Sequence, residues 1–254
     1  MADKRQRLQY AVDALQARYS VRAAQRGAEW VRAPRVGAIS TGFRSLDAIT
    51  GYAGLPLNAI TLLSGPPTSG KHTLAYLCLR QAQVATPRQP LVALIDLPGA
   101  ADPDYIARCG VELADLLIVR PPTPEAALGA LADVLRARQT RAILADGLLD
   151  GGAGLPARLA TLASLMQNSR CALLLLDTPR PGWREWLNAP GRGAAIQQAA
   201  LHLEARRERW LDYEHSLRGY RAQIRVARSR RGQAGASAAI EIVFNGVVRR
   251  RETW

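Results

Sequence analysis

At 254 residues, 48% hydrophobic and 22% charged, the chain can bury a sizeable core, as one large domain or as a domain plus an arm. A formal net charge of +13 points to a polyanionic partner, nucleic acid ahead of an anionic membrane surface. The three cysteines (Cys78, Cys109, Cys171) lack metal-ligand spacing and read as core thiols of a reducing compartment; MADKRQRLQY carries no apolar leader and no run reaches membrane-spanning length, so a cytoplasmic location without a membrane partner is expected.

In chain order, Arg5 to about Arg22 is expected to be helical, with Leu8, Val12, Leu15 and Tyr19 on one face. A polar, Gly/Pro-punctuated link follows to Gly37. Residues 1–37 are too short to fold alone and read as an arm that docks on the main domain or on a neighbouring subunit, leaving 38–254 as the core. In Ile39-Ser40-Thr41-Gly42-Phe43-Arg44-Ser45-Leu46-Asp47, Ser40 or Thr41 could open a turn and Ser45 could cap a short helix; Gly54-Leu55-Pro56 then turns the chain.

The stretch from Ile60 to Leu74, ITLLSGPPTSGKHTL, reads as buried strand, Gly/Pro loop and helix start. Gly65-Pro66-Pro67-Thr68-Ser69-Gly70-Lys71 fits the phosphate-binding loop: glycines let backbone N–H groups converge on an anion, the helix N-terminus adds a dipole, and Lys71 reaches the β- and γ-phosphates. Only Lys4 and Lys71 are lysines in a chain that otherwise uses arginine, so a compact point charge stands where a planar fork fits poorly. The pattern's last position, a hydroxyl for Mg²⁺, is His72, followed by Thr73.

Downstream, apolar strands alternate with helices: a helix to Gln83, a strand Leu91–Ile95 ending at Asp96, a helix from Asp104, a strand Leu116–Val119, a helix Pro124–Arg138 capped by Thr123, a strand Ala142–Leu144 ending at Asp146, a helix Leu155–Met166, and a strand Ala172–Leu176 ending at Asp177. Strands apolar on both faces imply a mostly parallel sheet covered by helices on both sides, with ligands at the C-terminal strand ends. Thr178 to Arg192 (TPRPGWREWLNAPGR) reads as a long loop at that edge, Gln197 to Arg209 as a basic stretch leading to a turn, Gln223–Arg228 as a half-exposed strand, and Ile240–Val248 around Asn245-Gly246 as a hairpin. His202 and His215 read as surface residues.

The order of the ISTG element, Leu46-Asp47, Gly54-Leu55-Pro56, Gly65…Gly70-Lys71, Ile95-Asp96, Asp102-Pro103-Asp104-Tyr105 and the strand ending at Asp146 resembles the bacterial RecA recombinases, from the N-terminal helix to about Val248. The resemblance implies an α/β RecA-like ATPase core with an N-terminal helical arm, and no separate C-terminal domain. It implies that ATP is held by residues 65–73, that Asp102 and Tyr105 contact adenine, the latter by stacking, and that Asp146 acts on the metal through water. Arg228 and Arg230 match basic residues that reach a neighbouring subunit's nucleotide. Two DNA loops are implied: the first around Asp150 to Arg158, with Arg158 its only cation, and the second Thr178 to Arg192. In the second, Arg180, Arg184 and Arg192 would neutralise phosphates, while Trp183 and Trp186 either stack on bases or form a lid on the core.

Three departures from the family weaken hydrolysis. His72 replaces the Mg²⁺ hydroxyl, and Mg²⁺ prefers oxygen. The water-activating Glu falls at Pro98, leaving Asp104 as the nearest unassigned carboxylate. The γ-phosphate-sensing amide falls at Thr178, after Asp177. The expectation is a RecA-like paralog that binds nucleotide and single-stranded DNA, self-associates or joins a RecA-type recombinase, and hydrolyses ATP slowly or not at all. It is also similar to the RecA-like accessory proteins of mutagenic-repair cassettes. An active DNA-dependent ATPase and a non-catalytic regulator of recombinase filaments are the alternatives.

Overall fold

The computed structural model describes residues 37–87, 91–150, 154–178, 190–213, 216–244 and 248–252, together with Gln6, Tyr10, Ala11, Asp13 and Ala14. Packing divides the chain into two units, Met1–Arg35 and Val36–Trp254. In the first, those five described residues are helical; Leu8, Val12, Leu15 and Tyr19 lie outside the described residues.

The second unit begins with β1 (Ala38–Ile39), α1 (Arg44–Thr50), β2 (Leu55–Pro56), β3 (Ala59–Ser64) and α2 (Lys71–Ala85). It continues through β4 (Val92–Asp96), α3 (Pro103–Arg108), β5 (Leu116–Val119), α4 (Pro124–Ala137), β6 (Ala142–Asp146), α5 (Leu155–Met166) and β7 (Ala172–Asp177). It closes with α6 (Pro190–Gln198), β8 (Leu201–Tyr213), β9 (Ser216–Ser229), β10 (Ser237–Phe244) and β11 (Val248–Glu252). The main sheet has nine strands in the order β11-β10-β9-β8-β3-β7-β6-β4-β5. The pairings from β8 through β3, β7, β6 and β4 to β5 are all parallel, while β9, β10 and β11 add antiparallel strands beyond β8.

Strands apolar at every position need cover on both faces, and the side-chain period of two divides them between two layers. Leu63, Leu94, Leu144 and Leu174 join a core with Phe43, Leu46 and the inner face of α2. Ile60, Leu62, Ile95, Ile143 and Leu173 point to the opposite core, filled by α4, α5 and Ala195 of α6. Register then lines up the strand ends: Asp96 sits opposite Asp146, and Ser64 opposite Asp177. The four residues therefore share one edge, beside the loop between β3 and α2.

Two local expectations are corrected. Ser45 is not a helix cap: Phe43 takes the N-cap position without a side-chain bond, and the buried Ser45 hydroxyl has no hydrogen-bond partner among the described residues. His202 is buried, its Nε2 2.8 Å from Ser64 Oγ, and burial lowers its pKa. The stretch read as basic and turn-bound is instead β8, whose Leu201, Leu203 and Ala205 point into the core while Arg206 and Arg209 face out. Its mate β9 is likewise longer than the expected Gln223–Arg228, with Tyr220, Ala222, Ile224 and Val226 inward.

The ISTG element is a staple. Asp47, projecting from α1, accepts hydrogen bonds from Ser40 Oγ (2.6 Å), Thr41 N (2.8 Å) and Thr41 Oγ1 (2.7 Å), and Ser40 Oγ accepts from Gly42 N (3.0 Å). This clamps the entry chain onto the helix whose Leu46 is fully buried. Gly54 completes the entry: its φ is +137° and a Cβ there would lie 2.2 Å from Ile39 O, so only glycine lets β2 pair with β1.

Asp47→Ala leaves three donors without their carboxylate and should lower stability by about 2–4 kcal/mol; a urea midpoint matching wild type would show the staple to be dispensable. All three cysteines are buried. Burial pushes the Cys109 and Cys171 thiols up to about 12. The native protein should therefore resist iodoacetamide in mildly alkaline buffer and react only after denaturation, which mass spectrometry of the alkylated chain would measure.

Candidate nucleotide-binding site

The loop leaves β3 at Ser64 and re-enters helix at Lys71, so its backbone is held at both ends: Gly65 N donates to Asp177 O (3.1 Å), Ser69 N to Pro66 O (3.2 Å), and Leu74 N to Gly70 O (2.9 Å). Gly70 has φ +89°, and a Cβ there would stand 2.6 Å from the Tyr220 ring. Thr68, a β-branched residue, is also in the left-handed region at φ +62°, which stores strain where the backbone must curl round a ligand. Lys71 is 2% exposed, and its ammonium donates to Pro66 O at 3.4 Å. Burial lowers its pKa, while Asp146 and Asp177 pull it back up. Ser69, 1% exposed, has a hydroxyl with no hydrogen-bond partner among the described residues. A buried ammonium with one long protein bond and an orphaned hydroxyl in the same curl fit a polyphosphate.

The same residues fit Mg²⁺ poorly. His72 Nε2 lies 2.9 Å from Asp146 Oδ2. A carboxylate accepts only, so that ring nitrogen presents a proton rather than a lone pair. Thr73, the next hydroxyl along, is buried, with Oγ1 2.7 Å from the Tyr105 hydroxyl. The helix starts at Lys71, without the shift in register that would bring Thr73 to the metal position.

Tyr105 itself is half-buried, edge-on to Tyr76 with ring centroids 6.2 Å apart. Burial raises its pKa, an effect the Thr73 bond opposes. Asp102 is exposed and caps α3, accepting from Asp104 N at 2.9 Å; Asp104 is exposed in the first turn of that helix. Asp96 is committed to its own turn, accepting from Ala100 N, Ala101 N and Arg120 Nε. Pro98 lines a cavity of about 240 Å³ with Asp146, Gly147, Leu176, Asp177 and Thr178, so the position expected to activate water carries a ring with no proton to exchange.

Arg192, expected to neutralise a DNA phosphate, is buried against a carboxylate of its own chain. It is 7% exposed and its Nε donates to Asp177 Oδ1 at 3.1 Å, tying α6 to the end of β7. Arg158 is exposed on α5. Arg180, Trp183, Arg184 and Trp186 lie outside the described residues. Arg228 donates to Ile196 O and Gln197 O, and Arg230 to Gln197 O and Gln198 O. Within this chain both guanidinium groups thus cover the last carbonyls of α6, where the helix dipole favours a cation.

Three residues beside the loop were missing from the sequence reading. Arg207, Trp210 and Tyr220 of the β8–β9 ribbon close a cavity of about 160 Å³ over residues 68–73. Arg207 donates to Thr68 O at 3.4 Å, and its Cζ stands 4.1 Å from the Trp210 ring centre. Tyr220 is 5% exposed, its hydroxyl makes no well-formed hydrogen bond among the described residues, and burial raises its pKa. The period-two pattern of Leu201, Leu203 and Ala205 was the available signal for the first strand.

Known proteins are similar to this chain in sequence. The family model for the RecA N-terminal domain matches residues 6–158. Proteins named "Protein RecA" match over most of the chain: that of Frankia alni is 29% identical over 85% of this chain and 68% of its own length. That of Herpetosiphon aurantiacus is 28% identical over 82% and 63%, and that of Chlorobium chlorochromatii 26% identical over 95% and 74%. The chain thus spans about two thirds of the length of the curated relatives it matches. Taken with the parallel sheet and the phosphate loop at its C-terminal edge, the match over more than half of the residues makes this chain a member of the RecA family.

Proposed function

We propose that the protein is a recombination and repair protein of the RecA type that holds ATP and single-stranded DNA and hydrolyses the nucleotide very slowly or not at all. The observation that carries this reading is the asymmetry of one site. The parts that bind phosphate are in place, with Lys71 buried in a curled loop. The parts that activate water and hold metal are replaced, Pro98 in one position and a His72–Asp146 pair in the other. Phosphoryl transfer depends on positioning and electrostatics rather than covalent chemistry, so losing those parts removes rate more than affinity.

The net charge of +13 supports DNA as the polyanion. On the β8–β9 ribbon, Arg206, Arg209 and Arg218 are exposed, adding cations to Arg158, while Arg225 is paired with Glu204. A filament partner, whether a second copy or a RecA-type recombinase, follows from the family. The engagement of Arg228 and Arg230 with α6 favours an accessory role over a protomer that completes its neighbour's active site.

Purified protein with ATP and Mg²⁺ should turn over at least roughly 10²-fold more slowly than a RecA recombinase assayed alongside, with or without single-stranded DNA. DNA-stimulated turnover at a comparable rate would mean an active recombinase. DNA affinity should fall steeply with salt as phosphates release counterions; a flat response would rule out an electrostatic groove. Trp183→Ala and Trp186→Ala should weaken single-stranded DNA binding by about 1–3 kcal/mol per stacked base, whereas lost thermal stability at unchanged affinity would make the tryptophans a lid. Arg192→Ala should act the other way, costing about 3–5 kcal/mol of stability by removing the guanidinium paired with the buried Asp177 while leaving DNA affinity unchanged.

A further inference from the structure

The His72–Asp146 contact joins the two places that flank the metal in a phosphate-loop site. His72 occupies the hydroxyl position in the first turn of α2, and Asp146 ends β6. With Nε2 2.9 Å from Oδ2, the proton on the ring nitrogen points at the carboxylate oxygen that would otherwise take part in holding the metal's water shell. The hydroxyl in that turn, on Thr73, is 2.7 Å from the Tyr105 hydroxyl. Mg²⁺ needs oxygen ligands in near-octahedral array, and no oxygen of this turn is presented to it.

The anion cradle, in contrast, is better supplied from the protein side than the loop pattern alone requires. Lys71 is buried beneath it. Arg207 reaches over its rim to Thr68 O, supplying a second cation from the opposite wall. A hydroxyl of a deeply buried residue, on Ser69 (1% exposed), lies along the same cavity without a hydrogen-bond partner among the described residues, and the buried Tyr220 (5% exposed) lines the cavity with it. A buried donor without an acceptor is costly unless a ligand supplies one.

We propose that the loop takes a nucleoside di- or triphosphate in its metal-free form, the His72–Asp146 pair standing in the metal's place and Lys71 and Arg207 offsetting the phosphate charge. This rests on the reading of the loop as a nucleotide site. It predicts the reverse of the usual ion dependence: Mg²⁺ does not strengthen binding, and in excess it competes by withdrawing the free polyphosphate.

The test is fluorescence polarisation of a labelled ATP analogue with the full chain, in EDTA and in excess Mg²⁺. Affinity should be weaker in excess Mg²⁺ than in EDTA by about tenfold or more, because little polyphosphate stays metal-free; equal affinity would show that the metal-bound form is taken as well and overturn the metal-free assignment. His72→Thr, checked for folding by circular dichroism, should restore the ordinary dependence, binding about tenfold or more tightly with Mg²⁺ than without. Arg207→Ala should weaken binding in EDTA. A wild-type affinity that rises tenfold with Mg²⁺ overturns the metal-free assignment and leaves the nucleotide site intact. A His72→Thr variant that still binds more weakly in Mg²⁺ removes His72 from the argument. Absence of binding in both buffers overturns this proposal and the nucleotide reading together.

Discussion

β3 has parallel neighbours on both sides, β7 and β8, and an apolar layer on each face. A strand so enclosed has no freedom of register, because a slip by one residue would exchange Leu62 and Leu63 between two separate cores. The fixed strand fixes where the chain emerges. Ser64 ends opposite Asp177, and the loop that follows must curl back at once to start α2 against the same sheet. The buried ammonium, the left-handed Thr68 and Gly70, and the approach of Tyr220 are consequences of that geometry.

The same edge collects the acidic residues, and their fates differ with their neighbours. Asp96 spends its oxygens on the turn that leads to α3. Asp177 is engaged by Arg192. Asp146 meets His72. Three carboxylates at one sheet edge would ordinarily suggest cation chemistry, yet in each case a hydrogen-bond donor of the protein takes an oxygen. Arg120 and Arg192 pair with Asp96 and Asp177, and the His72 ring lies against Asp146, so each carboxylate of this edge has a partner within the protein.

The family signatures fall into two groups by what they touch. Ser40, Thr41 and Asp47 form a closed hydrogen-bond staple and Gly54 admits a backbone, so these positions are explained by folding alone. Gly65, Gly70 and Lys71 form the curled loop between β3 and α2, with the Lys71 ammonium buried in it. Asp102 acts as a helix cap and Tyr105 binds Thr73, so both have structural partners besides any adenine. A motif that identifies the family therefore need not report on activity, and His72 and Pro98 are positions where this chain departs from the family's pattern.

Sequence alone determined the alternation of strand and helix, the parallel sheet with cover on both faces, the phosphate loop and the loss of its hydroxyl, because these depend on local spacing and on which side chains tolerate burial. Helices capped as Thr123 caps α4 were legible almost to the residue. Tertiary structure alone decided what met what. The partner of His72 is 74 positions away, and the partners of Arg228 are 31 and 32 away. The long β8–β9 ribbon escaped the sequence reading because arginines on its outer face masked the period-two pattern, and only sheet pairing brought Arg207 and Tyr220 over the loop. Periodicity records which face of an element is buried; it carries no information on which distant side chain is buried against it, and at this site that pairing sets the chemistry.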